Sequence, residues 1–152
     1  HFWMYTVFGC KRWTLFHPDD IALLYPDWSH GGLHPKFPSL YELQAQPGKY
    51  PLFARARRRE VIVHPGEVLF VPGGTPHAVE NLTDALAVAG NFVDESNLES
   101  VLADMRCMGE VDPALKEAAE ALAEMEHDDP EHEGLKNLEA YLPATELVMP
   151  FD

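Results

Sequence analysis

Cysteine is nearly absent: Cys10 and Cys107 stand far apart in 152 residues and form no Cys-x-x-Cys pair. That excludes a disulfide framework and a zinc ribbon, and the two thiols read as free cysteines of an intracellular protein, nuclear or cytoplasmic. No apolar run approaches the roughly 18 residues that a membrane span needs, so no membrane partner is expected. The opening stretch HFWMYTVFGCKRW lacks the basic segment and small-residue cleavage site of a secretory leader. Positive charge is scarce, with 11 Lys and Arg against 25 Asp and Glu. A nucleic-acid binder presents a basic field, so nucleic acid is not the expected partner. Internal repeats and low-complexity tracts are missing too.

What is present is an ordinary globular composition, 46% hydrophobic and 24% charged, in a length that suits one core. The acidity is concentrated in the second half. Residues 1–60 carry eight Lys and Arg against five Asp and Glu, whereas residues 61–152 carry three against twenty.

Three regions differ in pattern. In residues 1–16, WMYTVF and KRWTLF read as strands, with Gly9-Cys10 as a two-residue turn, which predicts a hairpin. In that hairpin Phe8 pairs with Lys11 and Thr6 with Trp13, and all four share a face. Residues 17–59 hold six prolines and three glycines and cannot form a long regular element. Short helical turns are expected at 18–25 and 38–44. An insertion of this length between strands is usually functional or partner-facing. In residues 60–93 the segments EVIVH, EVLFVP, HAVENL and ALAVAGNF are short strands separated by Pro65-Gly66, Gly73-Gly74 and Thr83-Asp84. That spacing predicts a barrel or sandwich.

Residues 94–152 change to helix. Ser96 and Glu99 have capping-box spacing ahead of a helix ending near Met108. Asp112 and Pro113 open a second helix reaching about His127, and Pro130 a third, ending near Leu142. Leu98, Val101, Leu102 and Met105, then Leu115, Ala119, Leu122 and Met125, form apolar stripes. A stripe must pack on the β-domain or on a second copy of the chain, so a homodimer through these helices is one expectation. The acidic faces, with seventeen Asp and Glu against three Lys and Arg, would suit solubility or a basic protein tail as substrate.

Of the chemistry-bearing residues, His77 is the most informative. It opens a strand after a rigid Pro-Gly-rich corner and shares a face with Val79 and Asn81. From the residues alone it is either a metal ligand or a packed core histidine. Lys11 is likewise either an inward cation or an exposed strand lysine. Other clusters are weaker. His30 and His34 lack a third ligand, and His127, Asp128, Asp129 and His132 sit where helices would meet. The serines Ser29, Ser39, Ser96 and Ser100 lie in no nucleophile motif, and Gly73-Gly74 makes no phosphate loop. The ARARRRE run, with Arg55, Arg57, Arg58 and Arg59, reads as a solvated strand entry, with a nuclear address or nucleic-acid contact as the alternative.

Taken in order, GCKRWTLFHPDD, VHPGEVLFVPGGTPHAVENL and ALAVAGNFV resemble the C-terminal part of a JmjC domain, a cupin-like double-stranded β-helix oxygenase of the hydroxylase-like branch. The resemblance covers residues 1–93 and implies a mainly β, partial jelly-roll domain, followed by an acidic helical tail over 94–152. It implies Fe(II) as cofactor and 2-oxoglutarate as cosubstrate. His77 matches the distal iron ligand, and Lys11 matches the lysine that binds the far carboxylate of 2-oxoglutarate. Asn91, Thr6 and Trp13 match positions that line the cosubstrate pocket. Ala89 stands where relatives often carry a hydroxyl residue, and Thr75-Pro76 where they often carry aromatics. The family's other two iron ligands, a His-x-Asp or His-x-Glu pair, would precede His1, so the sequence reads as an N-terminally incomplete domain. The function implied is dioxygenase chemistry on a protein, either hydroxylation or demethylation. The alternatives are an inactive cupin-like module that binds a partner through its acidic tail, and a cupin enzyme that does not use 2-oxoglutarate.

Overall fold

Six strands form where apolar residues alternate between glycine and proline turns: β1 (Phe2–Phe8), β2 (Lys11–Phe16), β3 (Arg58–Val63), β4 (Val68–Val71), β5 (His77–Asn81) and β6 (Leu86–Asn91). The computed structural model describes residues 1–29 and 35–127. The expected third helix lies outside them, as do His30, His34, Asp128, Asp129 and His132. The chain divides into two units between Val93 and Asp94.

The first unit is two antiparallel three-stranded sheets, ordered β4-β1-β6 and β3-β2-β5. Every tight link, at Gly9-Cys10, Pro65-Gly66, Gly73-Gly74 and Thr83-Asp84, carries the chain from one sheet to the other. This is a sandwich, one of the two architectures that the turn spacing predicts. Met4 of one sheet meets Trp13, Leu15 and Val63 of the other, and with Val71 they form a buried core. Both sheets thereby bury an inner face, as a two-layer fold requires.

The hairpin reading of residues 1–16 is corrected. β1 pairs with β4 and β6, β2 pairs with β3 and β5, and β1 and β2 do not pair with each other. Thr6 lies opposite Ala87 rather than Trp13, and Phe8 opposite Leu86 rather than Lys11. The reason is where the backbone groups flanking Gly9 are satisfied. Thr6 N–H donates to the Glu67 carbonyl, and Gly66 N–H to the Thr6 carbonyl. On the other side Cys10 N–H donates to Thr83 Oγ1 at 3.0 Å, and Leu82 N–H to the Cys10 carbonyl. Two distant turns take the hydrogen bonds that a hairpin would have closed on itself, so Gly9-Cys10 becomes an arch. Gly9 sits at φ +79°, and a Cβ there would run into the Asp84 carbonyl oxygen and Ala85.

β2 is buried on both faces. Trp13 and Leu15 point between the sheets, while Phe16 enters a second core with Leu24, Leu43, Tyr50 and Phe53 from the insertion. The insertion forms a 3-10 helix over Pro18–Leu24, α1 over Leu40–Ala45 and a second 3-10 turn over Pro51–Arg55. Ser39 and Glu42 make a reciprocal capping box on α1. Asp20, only 8% exposed, accepts from Arg57 Nε and from a terminal guanidinium nitrogen, each at 2.9 Å, and from the Arg57 backbone N–H at 2.8 Å. The side-chain hydrogen bonds of Arg57, then its backbone N–H, lower the Asp20 pKa to about 2. Arg58 lies over the Phe53 ring at 5.6 Å. Two arginines of the basic run thus bind the insertion to the sheet.

The second unit holds α2 (Leu98–Met108) and α3 (Pro113–His127). The capping box expected at Ser96 is corrected. Asn97 is the residue preceding the helix, so the box partner position falls on Ser100 rather than Glu99. Ser96 instead donates its hydroxyl and its N–H to Asp94 Oδ1. Asp112 Oδ1 does accept from Ala114 N–H at 3.1 Å, ahead of α3. Leu102 and Ala119, one on each helix, are buried.

Two outcomes follow from the arch and the Asp20 clamp. Gly66 has a similar φ of +88° but open space around it, so Gly66→Ala should cost only the left-handed penalty of about 1–2 kcal/mol. Gly9→Ala should add an overpacking cost of about 1–3 kcal/mol, read as a larger fall in urea midpoint. Because folding lowers the Asp20 pKa, its contribution is present above the ordinary 3.8 and is lost as pH falls toward about 2. The stability difference between the unsubstituted chain and Asp20→Asn should therefore be constant above that window and shrink through it.

Candidate cosubstrate and metal-ligand site

The inner face of the β3-β2-β5 sheet collects most of the candidate residues. β2 and β5 run antiparallel with Lys11 opposite Asn81, Trp13 opposite Val79 and Leu15 opposite His77. Cross-strand partners share a face, so Lys11, Trp13, His77 and Asn81 all face the opposing sheet. With a rise of about 3.3 Å per residue, Lys11 and His77 mark the ends of a strip about 13 Å long.

At one end His77 is exposed rather than packed into the core. Its Nδ1 lies 2.9 Å from the Thr75 carbonyl oxygen. A carbonyl only accepts, so Nδ1 carries the proton and the Nε2 lone pair is left for a ligand. The ring stands 5.2 Å from the Trp13 ring and 6.4 Å, nearly parallel, from the Phe2 ring. These contacts and the Thr75 hydrogen bond fix the imidazole much as outer-shell groups fix metal-bound histidines.

At the other end Lys11 Nζ donates to Asn81 Oδ1 at 2.6 Å. No carboxylate pairs with Lys11 among the described residues. One residue along, on the outer face, Arg12 does have an acid partner, Glu80 at 3.0 Å. Two polar atoms are orphaned, one on each sheet. Thr6 Oγ1 and Trp13 Nε1 are buried without a hydrogen-bond partner in residues 0% and 3% exposed. Buried donors without partners are rare and mark a place where water or a ligand completes the set. Asn91 faces the same space from β6, opposite Phe2, and is exposed.

The structure thus brings Lys11, Trp13 and His77 onto one face, with Thr6 and Asn91 on the facing sheet. Sequence reasoning missed the role of Asn81, although strand parity already placed it beside His77. It also missed Phe2 as a wall of the His77 ring. His1 is engaged elsewhere, its Nδ1 accepting from Gly73 N–H at 2.8 Å.

These residues fit the two proposed groups unequally. For a dicarboxylate they fit: an ammonium with no counter-ion, flanked by unpaired donors. For iron they do not suffice, because no cluster of three or more His, Cys, Asp or Glu exists among the described residues. A non-haem iron site takes two histidines and a carboxylate, and His77 is one imidazole.

Comparison with known proteins agrees with the two-sheet fold. The model of the cupin-like domain matches residues 3–97. The chain belongs to that family. Among curated relatives, the cupin-like domain is 32% identical over 99 residues to the arginine-specific demethylase JMJ20 of Arabidopsis thaliana, covering 65% of this chain and 20% of that protein. It is 38% identical over 91 residues to HSPB1-associated protein 1 of Rattus norvegicus, covering 60% and 19%. It is 34% identical over 107 residues to the lysine-specific demethylase JMJ21 of Arabidopsis thaliana, covering 68% and 11%. The chain spans about a fifth or less of the length of these relatives. It is a JmjC-like cupin domain with demethylases among its relatives.

Proposed function

We propose that this cupin-like domain forms part of an Fe(II)- and 2-oxoglutarate-dependent dioxygenase acting on a protein, as a hydroxylase or demethylase. The observation that carries the reading is Lys11, held inward without a counter-ion on the same sheet face as His77. A half-buried ammonium whose side-chain partner is a neutral amide keeps its full charge for an incoming anion. The far carboxylate of 2-oxoglutarate is such an anion, and the strip between Lys11 and His77 is long enough for this five-carbon acid and a metal.

In this reading each residue has one task. Lys11 binds and orients the distal carboxylate by a charge-assisted hydrogen bond. Thr6 Oγ1 and Trp13 Nε1 offer the buried donors that an acid displacing water would need. His77 would offer Nε2 to the metal, and the Thr75 carbonyl holds its tautomer. Bound iron would supply oxygen activation. Phe2 and Trp13 would fix the orientation of the His77 ring by packing against it. The acidic balance of residues 94–152 supports a basic protein segment as substrate.

A second reading has its own observation. Among the described residues His77 belongs to no cluster of three or more metal-ligating side chains, which suits a cupin-like module that binds a partner, and one relative is named for association with HSPB1. Turnover separates the two. With Fe(II) and natural termini, the protein should convert 2-oxoglutarate, and His77→Ala should abolish this. Lys11→Ala should raise the 2-oxoglutarate requirement at least about tenfold while sparing kcat, as expected for loss of a charged hydrogen bond. No conversion by the unsubstituted protein, or conversion that survives His77→Ala, would favour the binding module.

A further inference from the structure

The geometry points to Asn81 as a positioning residue that holds the Lys11 ammonium in place for the far carboxylate while leaving its charge uncompensated. This rests on the dioxygenase reading and deepens it.

The argument starts from the β2–β5 ladder. Two consecutive positions carry a basic residue on β2, and each faces a polar residue on β5: Lys11 faces Asn81 and Arg12 faces Glu80. On the outer face the partner is an acid, and Arg12 closes an ion pair at 3.0 Å. On the inner face the partner is its neutral counterpart, and Lys11 Nζ lies 2.6 Å from the Asn81 side-chain oxygen. An ammonium has only donors, so the contact must be made by the amide oxygen, which fixes the orientation of the amide. The amide nitrogen then remains as a second donor, with no hydrogen bond to a described residue. A lysine stem samples many rotamers, and one short hydrogen bond removes much of that freedom before a ligand arrives. A carboxylate at position 81 would hold Lys11 equally well but would also neutralise it. The neutral amide supplies the grip without cancelling the charge.

The test is binding, not activity. The protein with natural termini, loaded with redox-silent Mn(II) without oxygen, is titrated calorimetrically with 2-oxoglutarate and with 2-oxobutyrate, which lacks the distal carboxylate. Asn81→Asp should weaken 2-oxoglutarate at least about tenfold, because an ion pair must be broken to admit the ligand, and should leave 2-oxobutyrate within about twofold. Asn81→Ala should fall between the unsubstituted protein and Asn81→Asp for 2-oxoglutarate. The melting temperature of Asn81→Asp should be unchanged or raised, since the exchange adds an ion pair.

If Asn81 is only structural, the isosteric Asp recovers what Ala loses, or both ligands weaken together. Either result overturns the inference. Any folding loss in Asn81→Asp is shared by the two ligands, so their ratio still decides. Lys11→Met separates this from the wider reading. If it weakens only 2-oxoglutarate while Asn81 variants do nothing, the positioning role alone fails. If it changes neither ligand, or if the unsubstituted protein binds no 2-oxoglutarate, the dioxygenase reading fails with it.

Discussion

The register between β2 and β5 is the constraint on which the rest depends. Side chains alternate along a strand, so a slip of one residue would turn His77, Val79 and Asn81 to the outer face while Lys11 stayed inside. The structure pins this register at both ends with backbone hydrogen bonds beyond the strands. Phe16 N–H donates to the Pro76 carbonyl at 2.8 Å, and Leu82 N–H to the Cys10 carbonyl at 2.9 Å. Both pins lie in links where the chain crosses between sheets. The arch at Gly9-Cys10 and the corner at Gly73–Pro76 are therefore part of the site, although neither contributes a ligand. The insertion supports the same strand from behind, where Phe16 is locked into a second core and Arg57 clamps Asp20.

Charge placement then sets Lys11 apart from the arginines of the same domain. Arginines that serve the fold are matched: Arg12 by Glu80, Arg57 by Asp20. Lys11 faces the space between the sheets with a neutral partner, and the two buried polar atoms without partners, Thr6 Oγ1 and Trp13 Nε1, face that same space. A sequence under selection for stability alone would fill those positions with groups that satisfy one another. Unmatched polarity concentrated in one interior, beside an exposed imidazole, is what the proposed ligand site rests on.

Much of this was legible in the sequence because turn chemistry and strand parity are local. The strands within residues 60–93, the helical turns after Pro18 and Pro38, and the two shared faces, Lys11 with Trp13 and His77 with Asn81, follow from residue spacing. The arch did not. A two-residue Gly link looks the same whether it closes a hairpin or carries the chain to another sheet, and the groups that decide, Glu67 and Thr83, lie more than fifty residues away. The Ser96 box failed for a neighbouring reason: Asp94, two residues before Ser96, captures its hydroxyl, and Asn97 takes the terminus. Asn81 was on the correct face from the start, but its use as the partner of Lys11 requires the pairing of two strands far apart in sequence. The family resemblance supplied what spacing could not, namely the kind of ligand.

The central claim is that Lys11 and His77 serve one ligand from two ends of one sheet face. A crystal structure of the protein with natural termini, grown without oxygen in Mn(II) and 2-oxoglutarate, tests it most directly. The account predicts His77 Nε2 on the metal and the distal carboxylate of 2-oxoglutarate within hydrogen-bond distance of Lys11 Nζ. A 2-oxoglutarate bound outside the sandwich, or a metal that leaves His77 uncoordinated, would contradict it.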